Sequence, residues 1–107
     1  MNTLAPDIAA LSAQVEGPVL TDHDAGYAAE TAAWNQALTH RPLVAIGVTS
    51  VADVQAAVRF AGAHGVPIAV VATGHGAVVS ADGAVLVSTR RLRAVHVDAL
   101  GRTARIE

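Results

Sequence analysis

The fold class predicted by the sequence is α+β: a strand-helix-strand unit followed by short antiparallel strands. Three observations predict it. Residues 43–48 and 68–72 are continuous apolar runs of strand length, which suits strands buried in a sheet. Between them, Ser50-Val51-Ala52-Asp53 opens an apolar-periodic stretch that Gly65 closes, the punctuation of one helix. After residue 83 the period shortens to β-branched segments separated by turn residues.

The chain has 107 residues, enough for one small domain or a portion of a larger one. Its apolar content is 52%, but aromatics are only 3%, so each buried side chain brings little area and the core needs continuous layers to hold together. Net charge is −2 and lysine is absent, which removes the basic footprint that nucleic acid or an anionic membrane requires. Cysteine is absent too, so disulfides, thiolate metal sites and cysteine catalysis are excluded. No apolar run approaches the roughly 18 residues of a membrane span, and no basic, hydrophobic leader opens the chain. A soluble, cytoplasmic protein is the expectation.

Residues 1–38 read as an N-terminal helical segment and 39–107 as the main domain. Ile8, Leu11 and Val15 recur at helical spacing over residues 6–15, until Gly17-Pro18 breaks the pattern. A second helix is expected over residues 25–38, with Tyr27, Trp34 and Leu38 on one face and both aromatics acting as packing anchors. The strand over 43–48 then leads into the helix from Val51 to about Ala63, with Val51, Val54, Val58 and Ala61 as the expected buried stripe. The strand over 68–72 follows, with a parallel crossover. Residues 84–88, 94–97 and 103–106 are expected as antiparallel strands joined by turns at 81–83 and 98–101, with a helical turn over 89–93.

The loop Ala72-Thr73-Gly74-His75-Gly76 leaves the carboxyl end of the second long strand, where open α/β sheets bind ligands. Small residues allow backbone N–H groups close to an anion, and the imidazole can act as nucleophile, base or ligand near neutral pH. The alternative is a tight connection whose histidine merely faces solvent. No helix-forming run follows Gly76, so a phosphate here depends on a backbone nest rather than a helix dipole.

Other candidates are weaker. His23, His40, His64 and His96 lie on separate elements without metal-ligand spacing, so no metal site is expected. Ser80 or Ser88 with Asp82 lacks the nucleophile elbow of a hydrolase, and no catalytic residue is assigned. Arg90, Arg91 and Arg93 form either a solvated turn or a phosphate clamp. His64 complements the end of its helix.

Taken in order, Tyr27, Trp34-Asn35, Arg41-Pro42, Ser50-Val51-Ala52-Asp53-Val54, Gly65-Val66-Pro67-Ile68, Thr73-Gly74-His75-Gly76, Asp82-Gly83-Ala84-Val85 and Val97-Asp98 with Arg102-Thr103-Ala104-Arg105-Ile106 resemble the start of the FAD-linked oxidases. That is the family of vanillyl-alcohol oxidase and berberine bridge enzyme, with its PCMH-type FAD-binding domain. The resemblance implies FAD as cofactor, with Ala72, Thr73, Gly74, His75 and Gly76 around its pyrophosphate and His75 as the residue that often carries the flavin covalently. It also implies an oxidoreductase that takes hydride from a small organic substrate onto FAD.

Where family members commonly carry an arginine or a glycine run, this chain has Val71-Ala72-Thr73, and the Thr73 hydroxyl can donate to phosphate instead. The resemblance further implies that the domain is incomplete at its C-terminus and that its partner is the missing remainder of the same enzyme. The 107 residues alone are then expected to be inactive. The competing expectation is a non-catalytic binding module or inactive fragment derived from such an enzyme.

Overall fold

A computed structural model describes residues 4–34, 36–75 and 79–107. Three helices and a four-stranded sheet form its centre, and a separate two-stranded hairpin follows. The α+β class and the strand-helix-strand unit stand as expected from the sequence.

Helix α1 spans Ala5–Gln14 and buries Ile8 and Leu11, with Pro6 in its first turn where a missing N–H costs nothing. Strand β1 is only Val19–Leu20, pairs antiparallel with β2 (Val44–Gly47), and was not foreseen from the sequence. Every residue of β2 is buried, as its unbroken apolar run requires. Helix α3, Val51–His64, begins where the Ser50 hydroxyl accepts from the Asp53 N–H at 3.2 Å. It ends at Gly65, whose φ of 64° is a left-handed cap that glycine adopts without penalty.

The expected stripe of α3 needs correction. Val51 and Val58 are exposed, and the buried face is Asp53, Ala56, Ala57, Phe60 and Ala61. That set also follows helical spacing, and it is the face that α3 turns toward α1 and β4, where Ala56, Ala57 and Ala61 join the core and Phe60 supplies the bulk. Helix α2 is also shorter than expected: it covers Tyr27–Thr31, and Ala32 has already turned extended.

Strand β3, Ile68–Val71, does not lie beside β2. Strand β4, Val85–Ser88, sits between them and runs parallel to both, pairing Val85 with Val44 and with Ile68. The expectation of an antiparallel strand over 84–88 is therefore corrected. Asp82-Gly83 does make a turn, with Ala84 N–H on the Ala81 carbonyl, but β3 and β4 are parallel, so their connection is a crossover rather than a hairpin. The antiparallel pair is β5 (Val95–Asp98) with β6 (Thr103–Ile106). The expected helical turn over 89–93 is a single turn, closed by Leu92 N–H on the Thr89 carbonyl.

Alternation along the central strands supplies two faces. Val44, Ile46, Val85 and Val87 join Phe60, Leu11 and Val15 beneath α1 and α3. Ala45, Leu86 and Val71 face the other way and are covered by Ala81, Ala84 and Tyr27. The crossover is held there by three bonds: Arg41 N–H to Asp82 at 2.9 Å, Gly83 N–H to the Arg41 carbonyl, and Ala81 N–H to His40 Nδ1 at 2.9 Å.

Asp53 ties α1 to α3. Its buried carboxylate accepts from the Glu16, Gly17 and Thr49 N–H groups at 3.0, 3.2 and 3.0 Å, and from the Thr49 hydroxyl. Burial pushes its pKa up, but these donors together outweigh burial and hold it below the ordinary 3.8. Glu30 is likewise lowered from 4.5, first by the Arg91 guanidinium that donates to it, against a smaller effect of burial.

Both folded-state values lie below the unfolded ones, so the stability they contribute is complete above about pH 4.5 and is lost as pH falls through the folded values. The melting temperature should therefore decline steadily on acidification below that point. The slope should be shallower in Asp53→Asn, and equal slopes in the two proteins would remove Asp53 from the account.

Candidate functional site

The carboxyl ends of β3 and β4 lie side by side, and the chain leaves β3 into Ala72-Thr73-Gly74-His75. Gly76, the fifth expected site residue, lies outside the described residues. Ala72 and Thr73 are exposed, and Gly74 is buried with a φ of 81°. A Cβ at Gly74 would stand 2.6 Å from Ala33 Cβ and 2.7 Å from Ala33 Cα, so only glycine lets the loop lie this close to residues 33–34.

Two contacts continue that apposition. Trp34 N–H donates to the Thr73 carbonyl at 2.9 Å, and the Trp34 ring stacks on the His75 ring with centroids 4.6 Å apart and planes inclined by 26°. The expectation of Trp34 as a packing anchor is overturned, since its side chain is 68% exposed and touches the candidate site instead of the core. Tyr27 does anchor: it packs on the second face and its hydroxyl donates to the Pro42 carbonyl at 2.7 Å.

The arginines of the turn after β4 resolve into distinct roles. Arg91 pairs with buried Glu30, at 2.7 Å and 2.9 Å to its two carboxylate oxygens. Arg90 donates from Nε to the Ala72 carbonyl at 2.6 Å, from Nη1 to the Ala29 carbonyl at 2.8 Å, and from Nη2 to the Ala32 carbonyl. Arg90 and Arg91 are thus tied to the protein's own carbonyls and carboxylate and are not merely solvated. His64 stands 3.7 Å from Asp7 and against Phe60, at the far end of α3 from this site. His40 is buried beneath the crossover, and no group of three or more histidine, aspartate or glutamate side chains placed to hold a metal occurs among the described residues.

Clefts flank the His75 loop on two sides. One, of about 690 Å³, lies at the strand ends between Trp34, Thr73, His75, Thr89 and Arg90. The other, of about 570 Å³, runs between β3 and the returning crossover past Thr73, His75 and His40. A large cofactor with a charged linker and an aromatic ring fits this setting. Small side chains at Ala72, Thr73 and Gly74 leave the backbone of the loop open to an anion, the Thr73 hydroxyl adds a donor, and an exposed imidazole stands next to them. Among the described residues no helix is long and apolar enough to cross a membrane.

The sequence matches an FAD-binding family, and the structure superposes on a known oxidase. A family model described as FAD binding domain matches residues 42–107. The (R)-6-hydroxynicotine oxidase of Paenarthrobacter nicotinovorans is 30% identical over 94 residues, which is 86% of this chain and 20% of that protein. The 1'-carboxy-chondrochloren decarboxylase of Chondromyces crocatus is 43% identical over 82 residues, 72% of this chain and 15% of its own length. Among solved structures, 6-hydroxy-D-nicotine oxidase from Arthrobacter nicotinovorans superposes with a TM-score of 0.79 at 30% identity, over 86% of this chain and 21% of that one. The chain spans about a fifth or less of the length of the curated relatives it matches.

Proposed function

The chain belongs to the FAD-binding-domain family of the vanillyl-alcohol oxidase and berberine bridge enzyme type, with FAD as its cofactor, and from that premise we propose that it is the FAD-binding portion of a flavin-dependent oxidase. In this reading FAD supplies a hydride acceptor, and the substrate is a small organic molecule.

Ala72, Thr73, Gly74, His75 and Gly76 hold the cofactor. The observation that carries the assignment is the left-handed Gly74, which lays the loop against Ala33 and sets the His75 ring on Trp34 at the ends of two parallel strands. A neutral imidazole is nucleophilic near neutral pH, so His75 is also the residue to carry the flavin covalently at its 8α-methyl carbon. Thr73 donates its hydroxyl toward the pyrophosphate. The rest of the cofactor wall, the substrate pocket and the catalytic base belong to other parts of the enzyme.

The test uses the complete protein encoded by the reading frame that contains this chain. After denaturing electrophoresis, a flavin-fluorescent band is expected for the wild type and none for His75→Ala. Persistence of the band in His75→Ala would reassign the anchor. Absence of flavin from the native wild-type protein would overturn the flavoprotein reading itself.

The decarboxylase similarity favours a second reading of the reaction, in which the substrate also loses a carboxylate. Carbon dioxide release alongside flavin reduction separates it from simple hydride transfer.

A further inference from the structure

We infer that Arg90 is a positioning residue for His75, a role that rests on the reading of residues 72–76 as the cofactor loop. Helix α2 is very short, and the end of a helix leaves carbonyls without intrahelical partners. Arg90 reaches two carbonyls in that region, Ala29 and Ala32, with its two terminal nitrogens. Its Nε donates in the other direction, to Ala72 at the root of the candidate loop. A guanidinium is planar and its donors point in fixed directions, so the three carbonyls are held in one frame.

That frame is what brings Trp34 to His75. Ala32 directly precedes the Ala33-Trp34 pair, and Ala72 directly precedes the Thr73-Gly74-His75 run. Between the two segments the only other described tie of this kind is Trp34 N–H to the Thr73 carbonyl, with the Gly74 contact and the ring stack beyond it. Both rings are exposed, so water competes for each of them. The stack is therefore held from its base, by the Arg90 bonds to Ala32 and Ala72. A lysine cannot take over, because its ammonium is a point on a flexible stem and cannot span carbonyls on two separate segments in a fixed plane. Arg90 stands in the wall of the same cleft, and through these bonds it sets the plane in which the imidazole is presented.

The ring current of Trp34 provides a readout that needs no flavin. This chain contains a single tryptophan, and the His75 ring, with its carbon-bound protons, stacks on it. Their proton shifts, recorded for the wild type and for Trp34→Leu, define the full displacement caused by the stack. Arg90→Gln is expected to lose more than half of that displacement while the amide shifts of β2 and β4 stay in place. Should Arg90→Gln fail to fold, Arg90→Lys keeps the charge, and the same loss is expected there. A loss smaller than half in the folded variants overturns the inference. Because the measurement is made without cofactor, its failure is distinct from failure of the flavin assignment, which is read from the denatured complete protein.

Discussion

Replacing Asp53 with alanine should lower the melting temperature of the chain by something on the order of 15 to 20 °C. Three backbone N–H groups, from Glu16, Gly17 and Thr49, end on one buried carboxylate and lose their acceptor together. Each stranded buried donor costs about 1–3 kcal/mol, but Glu16 and Thr49 are exposed and Gly17 half-buried, so water recovers part of the loss and a total of roughly 3 kcal/mol is expected. In a domain of this size about 1 kcal/mol corresponds to 4–8 °C, and the whole stability is only about 5–15 kcal/mol. Melting followed by circular dichroism decides the matter. A shift of only a few degrees would mean that the turn joining α1 to the sheet is held by packing and not by Asp53. Asp53→Asn should fall between the two, because the amide keeps one acceptor oxygen but turns donors toward N–H groups.

Gly74→Ala should act on the site more severely than its single added methyl suggests. A left-handed backbone costs an L-residue about 1–2 kcal/mol. At Gly74 the methyl also meets Ala33 Cβ at 2.6 Å and Ala33 Cα at 2.7 Å, so backbone has to move. Separation of residues 72–75 from 33–34 breaks the Thr73 hydrogen bond and the His75–Trp34 stack at once. Flavin retention in the complete protein is expected to fall more than tenfold, the equivalent of about 1.4 kcal/mol. Gly83→Ala is the control: its φ of 74° imposes the same backbone cost, but a Cβ there meets nothing within 4 Å. Its flavin-to-protein absorbance ratio should stay near the wild-type value. Equal losses in the two variants would attribute the effect to general destabilisation and not to the loop's approach to Ala33.

The elements best read from sequence were those whose signals are local. Ser50 and Gly65 mark the ends of α3 through bonds made within a few residues, and the apolar run over 43–48 is buried on both faces as it must be. The candidate loop was legible for the same reason, since Gly74 and His75 follow directly from a strand.

The misread features depend on distant partners. Residues 32–34 are alanine-rich and favour helix, yet Trp34 N–H is taken by Thr73 and the Ala32 carbonyl by Arg90. Asp82-Gly83 looks like a hairpin signal, but its turn docks on Arg41 and leaves β4 free to enter between β2 and β3. Val51 and Val58 suggest a buried stripe for α3, although the face that enters the core carries Ala56, Ala57, Phe60 and Ala61. Nothing near Arg90 in sequence announces that its guanidinium serves Ala29, Ala32 and Ala72.

The central position of β4 also dictates an order of events during synthesis. The ribosome delivers β2, α3 and β3 before the strand that joins them, since β3 pairs with β4 alone and Val85 is the common partner of Val44 and Ile68. A nascent chain that has emerged only as far as residue 84 carries the candidate loop on β3, whose four apolar residues Ile68–Val71 then lack the strand they pair with. Arg90 emerges later still, just behind β4, so the arginine that fixes the loop arrives with the strand that completes the sheet.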